Sequence, residues 1–130
     1  MSTIGGGSNN IGNAFYSTIG GGKLNIICNP YSYHSTIGGG YKNCARFRAT
    51  VSGGVYNCAC ANGSFIGGGC QNSVTGGDTQ TIAGGYKNCV TGGGATIGGG
   101  YQNTVLGNTS SIVGGIINSV CGYCSFIGGG

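Results

Sequence analysis

An apolar, mostly β-branched residue returns along this chain at Ile4, Ile19, Ile37, Val51, Ile66, Ile82, Ile97, Ile112 and Ile127, at spacings of 15, 18, 14, 15, 16, 15, 15 and 15 residues. Two places after each of the first eight stands a Gly (Gly6, Gly21, Gly39, Gly53, Gly68, Gly84, Gly99, Gly114), and the next residue is Gly as well. Six places after each stands an Asn: Asn10, Asn25, Asn43, Asn57, Asn72, Asn88, Asn103 and Asn118. A second apolar column follows eight places on, at Ile27, Ala45, Ala59, Val74, Val90, Val105 and Val120, and Gly12 interrupts it. In the later repeats Gly76, Gly92, Gly107 and Gly122 come two places after that column, so each repeat has two similar halves.

Self-similarity at a fixed period marks a repeat architecture. A period near 15 is too short for a helix pair and suits one coil of a parallel β-solenoid, with like residues stacked about 4.8 Å apart. The pattern predicts an all-β fold: a parallel β-solenoid or β-roll forming a single domain over residues 1–130, with two short strands per coil. About eight coils start near Ile4, Ile19, Ile37, Val51, Ile66, Ile82, Ile97 and Ile112, and a half-coil starts at Ile127. Ile and Val suit a pleated, half-buried surface. The Gly pairs permit left-handed backbone and close approach, and Asn tolerates the same region at a corner. The Asn column is also expected to link successive coils by hydrogen bonds, as amide ladders do in stacked sheets. The longest repeat has room for its extra residues in Asn29-Pro30-Tyr31-Ser32-Tyr33-His34, a loop off the rod, since Pro30 cannot join a ladder.

Such a coil has a thin core, one Ile and one Val or Ala, and ordering some fifteen residues is costly. Stabilisation by lateral association, by disulfides or by both is therefore expected. An exposed column of Tyr41, Tyr86 and Tyr101, with Cys70 and Ile116 at equivalent places, offers a flank for association. The chain opens with Ser2-Thr3-Ile4-Gly5-Gly6-Gly7 and closes with Ser125-Phe126-Ile127-Gly128-Gly129-Gly130, which suggests head-to-tail polymerisation or a piece of a longer array.

Composition narrows the class. Gly accounts for 33 of 130 residues, yet Pro30 is the only proline, which excludes collagen. Eight cysteines in so short a chain favour an oxidising setting: extracellular, cell surface or virion surface. Cys28, Cys44, Cys58, Cys60, Cys70, Cys89, Cys121 and Cys124 are all disulfide candidates, with no pairing assigned. Cys44, Cys58 and Cys89 directly follow a column Asn, while Cys28, Cys60 and Cys121 sit two places further on, so the two sets project to the same side of their strands.

Catalysis finds no support. Asp78 is the only acid, so paired carboxylate chemistry is excluded. Cys121-Gly-Tyr-Cys124 is a single C-x-x-C with no second pair, so no metal or redox centre is predicted, and the one histidine, His34, has no acid near it in sequence. Gly22-Lys23-Leu24 lacks the hydroxyl residue of a phosphate loop, and no cofactor is expected. Five basic residues are too few for a nucleic-acid surface, and no apolar run is long enough for membrane insertion by a helix. Asn62-Gly63-Ser64 and Asn108-Thr109-Ser110 match the glycan acceptor triplet.

The stretches from Asn72 to Gly85 and from Asn103 to Gly115 resemble the head repeats of trimeric autotransporter adhesins. The S-T-I-G-G-G-x-x-N arrays also look like repeat proteins of large DNA viruses and environmental bacteria. The first resemblance implies a left-handed parallel β-roll that trimerises and binds host surfaces. Taken together, the expected function is a structural fibre or surface appendage, assembled by self-association as a homo-oligomer or head-to-tail polymer and cross-linked by disulfides. An adhesin head is the alternative. A third reading, an ice-binding solenoid, rests on the column Thr3, Thr18, Thr36, Thr50, Thr81 and Thr96, although Gly stands where such proteins carry a second Thr.

Overall fold

The computed structural model describes residues 1–27, 31 and 33–130. Short strands alternate in chain order: β1 (Thr3–Ile4), β2 (Ile11–Gly12), β3 (Thr18–Ile19), β4 (Ile26–Ile27), β5 (Thr36–Ile37), β6 (Cys44–Ala45), β7 (Thr50–Val51) and β8 (Cys58–Ala59). They continue as β9 (Phe65–Ile66), β10 (Ser73–Val74), β11 (Thr81–Ile82), β12 (Cys89–Val90), β13 (Thr96–Ile97), β14 (Thr104–Val105), β15 (Ser111–Ile112), β16 (Ser119–Val120) and β17 (Phe126–Ile127). Odd-numbered strands form a nine-stranded sheet and even-numbered strands an eight-stranded one, every neighbour being parallel. This is the parallel β-solenoid that the repeat predicts, with two short strands in each of about eight turns. The register keeps each column on itself, as in Thr81↔Thr96 with Ile82↔Ile97 and Cys89↔Thr104 with Val90↔Val105.

A third line of pairing was not visible in the repeat. One residue per coil, from Ser8 through Lys23, Tyr41, Val55, Cys70, Tyr86 and Tyr101 to Ile116, bridges to the same place in the next coil. The tyrosine column is therefore part of the hydrogen-bonded wall. Within it the rings of Tyr86 and Tyr101 stack 5.4 Å apart, and Lys87 Nζ lies 5.1 Å from the Tyr86 ring.

The core is a stack of short rows. Ile19, Ile37, Val51, Ile66, Ile82, Ile97 and Ile112 are fully buried and face the second column, Ile27 to Val120, which is buried throughout. Two further inward columns are polar or small. One is the Asn column, buried from Asn25 to Asn103, and the other is Ser17, Ser35, Ala49, Ser64, Gln80, Ala95 and Ser110, two places before the Ile column. The hydrophobic reading missed this last column because small polar residues carry no apolar signal, yet the period of two along a strand sends them inward.

The Asn column holds the coils together. Asn72 donates its backbone N–H to Asn57 Oδ1 at 3.0 Å, and its Oδ1 accepts the backbone N–H of Asn88 at 3.0 Å. Its Nδ2 donates to the Gly68 and Gly85 carbonyls, each at 2.9 Å, the first in its own coil and the second in the next. The same set recurs at Asn88 and Asn103. The ladder thus runs mainly between side-chain amides and backbone, with longer amide-to-amide contacts of 3.2 Å beside it.

The corner geometry differs from the expectation that the column Asn adopts left-handed backbone. The left-handed residue is the one before it: Asn9, Leu24, Lys42, Tyr56, Gln71, Lys87, Gln102 and Ile117 have φ between 52° and 58°. The column Asn is needed for its amide, and the turn is made next to it. Of each Gly pair, the second is the one that the backbone requires. Gly100 has φ +94°, and a Cβ there would strike the Gly115 carbonyl, whereas a Cβ on Gly99 meets nothing within 4 Å. Space does not explain why the first Gly of the pair recurs.

In the longest coil, Asn29, Pro30 and Ser32 of the expected loop, together with Cys28, lie outside the described residues. Its Tyr33 stacks on Phe15 at 5.9 Å, and His34 stacks on Tyr16 at 5.4 Å, which ties this segment to the preceding coil.

Two outcomes follow. Gly100→Ala is expected to destabilise the chain by about 1–3 kcal/mol while Gly99→Ala stays near neutral, as read by denaturant unfolding. Asn72→Leu, close in volume, leaves the Asn88 N–H and the Gly68 carbonyl without their partner, while the Gly85 carbonyl keeps the Cys70 N–H, so a loss of about 2–4 kcal/mol is expected. A loss below about 1 kcal/mol would show that the ladder is dispensable.

Candidate functional site

The outward faces carry the chemistry, because every inward column is committed to packing or to the ladder. On the eight-stranded sheet, β6 and β8 are in register with Cys44 opposite Cys58 and Ala45 opposite Ala59. The Ala side chains are buried and the Cys side chains point out, half-buried. Two places along, Arg46 and Cys60 face the same way, and Arg46 N–H donates to the Ala59 carbonyl at 2.9 Å, which sets Arg46 beside Cys60. The result is a square of residues on two neighbouring strands, Cys44, Cys58, Cys60 and Arg46, with the Arg46 charge near enough to act on the Cys44 thiol.

The three sulfurs of Cys44, Cys58 and Cys60 all lie within 4.8 Å of one another, and Cys58 Sγ is 2.8 Å from Cys60 Sγ. Crowding makes Cys44 and Cys58 hard to ionise. Cys58 is pushed well above the ordinary thiol range, first by its hydrogen bond with Cys44, then by Cys60, then by burial. For Cys44, the hydrogen bond from Cys58 favours the thiolate, but Cys60 and burial outweigh it and the pKa is raised, with Arg46 pulling it down. Cys89 is also raised, through burial alone.

The remaining predicted site residues are scattered. Cys89 is in the same column as Cys58, but Ser73 of β10 stands between them. Cys70 lies on the bridge column, and Cys121 and Cys124 are exposed near the last strands, with Cys124 Sγ 3.1 Å from Thr109 Oγ1. All seven described cysteines are free thiols, so the expected disulfides are not present among the described residues. The clustering was half legible: the sequence put Cys44 and Cys58 in one column and Cys60 on the same side of the strand. Their closeness in space emerges only once the coils are stacked.

The raised thiols couple stability to pH. A thiol whose folded pKa lies above its unfolded value is protonated more in the folded state, so its contribution is full below the unfolded value of about 8.5 and is lost as pH rises toward the folded one. Under reducing conditions, unfolding free energy is expected to fall as pH rises above about 8.5. Cys58→Ser should flatten that decline, and an unchanged slope would show that the cluster does not govern it.

Neither a protein family nor an individual curated protein matches this sequence, so the fold and the thiol cluster stand on the chain's own residues.

Proposed function

We propose that this chain is a structural protein whose solenoid coils stack across molecules as they do within one, building a fibre or surface appendage. The observation that carries this reading is the direction of the hydrogen-bond lattice. In each coil the N–H groups on either side of the Ile column donate to the next coil: Thr81 to Ala95 and Ala83 to Ile97, then Thr96 to Ser110 and Gly98 to Ile112. At one end of the rod the N–H groups of Phe126 on β17 and of Gly128 just after it have no such acceptor among the described residues. At the other end β1 is paired on one side only, and the Ser2 and Ile4 carbonyls, at the accepting positions of the pattern, face outward. A donor edge and an acceptor edge of the same register are complementary to each other, which favours head-to-tail contact over edge-to-edge pairing of like ends.

Apolar surface supports the same contact. Ile4 is 44 % exposed, unlike its fully buried counterparts inside the rod. Gly12, which interrupts the second apolar column, leaves a depression of about 300 Å³ lined by Met1, Ser2, Gly12, Asn13, Ala14 and Phe15. A second copy on β1 would cover Ile4 and extend the nine-stranded sheet. The placement at an outer surface follows from the cysteine content and the adhesin-head alternative from the sequence resemblance, and the test separates the latter from a fibre.

Gly128→Pro removes the edge N–H without taking away a hydrogen bond inside the chain. In sedimentation velocity and electron microscopy, the wild-type chain is expected to lengthen with concentration, while Gly128→Pro stays short and Gly128→Ala behaves as wild type. Equal growth of the Pro variant would sink the end-to-end contact, and a discrete trimer at all concentrations would favour an adhesin head.

A further inference from the structure

We infer that Cys44, Cys58 and Cys60 form a binding site for a soft monovalent metal ion, cuprous copper, held by three thiolates on the outer face of the eight-stranded sheet. The donor set supports this. Three sulfurs converge within 4.8 Å from two adjacent strands, and the backbone beneath them is held by the register of β6 and β8. An ion about 2.3 Å from each sulfur needs the sulfurs about 4 Å apart, so the site closes on an ion by rotation of side chains, chiefly a parting of Cys58 from Cys60. Thiolates select cuprous copper and zinc among biological metals, and zinc completes four ligands, with a water where the protein supplies three. Here the fourth corner is Arg46, which cannot ligate and whose positive charge weighs more heavily against a dication than a monocation.

The charge balance is explicit. Three neutral thiols release three protons to solvent as they bind one monovalent ion, so the bound centre carries two negative charges and Arg46 offsets one. No electron is transferred, and affinity rises with pH because protons compete with the metal.

The repeat supplies fold-compatible controls. Ser73 occupies the Cys58 column in the next coil, and Thr75 occupies the Cys60 column, so the double variant Cys58→Ser/Cys60→Thr places residues that the same fold already accepts there. The experiment is an anaerobic titration of the fully reduced chain with cuprous ion against a colorimetric chelator, followed by X-ray absorption at the copper edge. The wild-type chain and Cys89→Ser are expected to withdraw one equivalent at high affinity, with three sulfurs about 2.3 Å from the metal. The double variant should bind that equivalent more than about 100-fold more weakly with an unchanged unfolding temperature, since loss of ligands exceeds the effect of losing outer partners. Equal affinity in the double variant overturns the site, as does a metal bound by two or four sulfurs, or retention of zinc in preference to copper.

Discussion

The buried asparagine ladder is the interaction on which the rest of this molecule depends. An amide in a dry interior must satisfy every donor and acceptor or cost more than the hydrophobic contacts around it return. From Asn25 to Asn103 each amide meets that condition by binding its own coil and the coil after, while the backbone N–H of the same residue donates to the Asn oxygen of the coil before. A coil that slipped by one residue would lose the whole set, so the ladder sets the register that the short strands, two residues each, are too brief to set alone.

The glycines belong to the same device. The Nδ2 of each ladder Asn reaches a carbonyl on the second Gly of the pair in the next coil, and that Gly turns with φ between 82° and 103°. A side chain there would both strain the turn and strike the neighbouring carbonyl, so the residue that accepts the ladder bond must also be the one without a Cβ. Next to the column Asn, by contrast, the left-handed position takes Leu24, Lys42, Tyr56 and Ile117, residues that would not choose that backbone by themselves. Stacking overrides local preference because each coil is held on both sides.

With the interior this constrained, individuality is confined to the outward columns. The column that begins β6 and β8 reads Ile11, Ile26, Cys44, Cys58, Ser73, Cys89, Thr104 and Ser119, in which aliphatic, thiol and hydroxyl side chains replace one another without altering the fold. Thiols cluster where neighbours in two adjacent columns match, as at Cys44, Cys58 and Cys60, and the hydrogen-bond lattice runs out at β1 and β17. Both are properties of a quasi-one-dimensional rod in which a residue touches only the coils on either side.

The sequence by itself determined the architecture: its coils, its two strands per coil, the inward Ile and Val columns and the outward Cys columns. It could do so because stacking like on like forces every structural requirement to recur at the same interval, and recurrence is visible in one dimension. Tertiary structure decided what periodicity leaves open. It placed the left-handed turn before the Asn rather than on it, added the bridge through the tyrosine column, and sent the small Ser and Ala column inward. It also joined Cys60 to Cys44 and Cys58 while leaving Cys89 apart. Adjacent coils are one strand spacing apart, about 4.8 Å, and alternate coils twice that, so only nearest neighbours in the stack can share a bond or an ion.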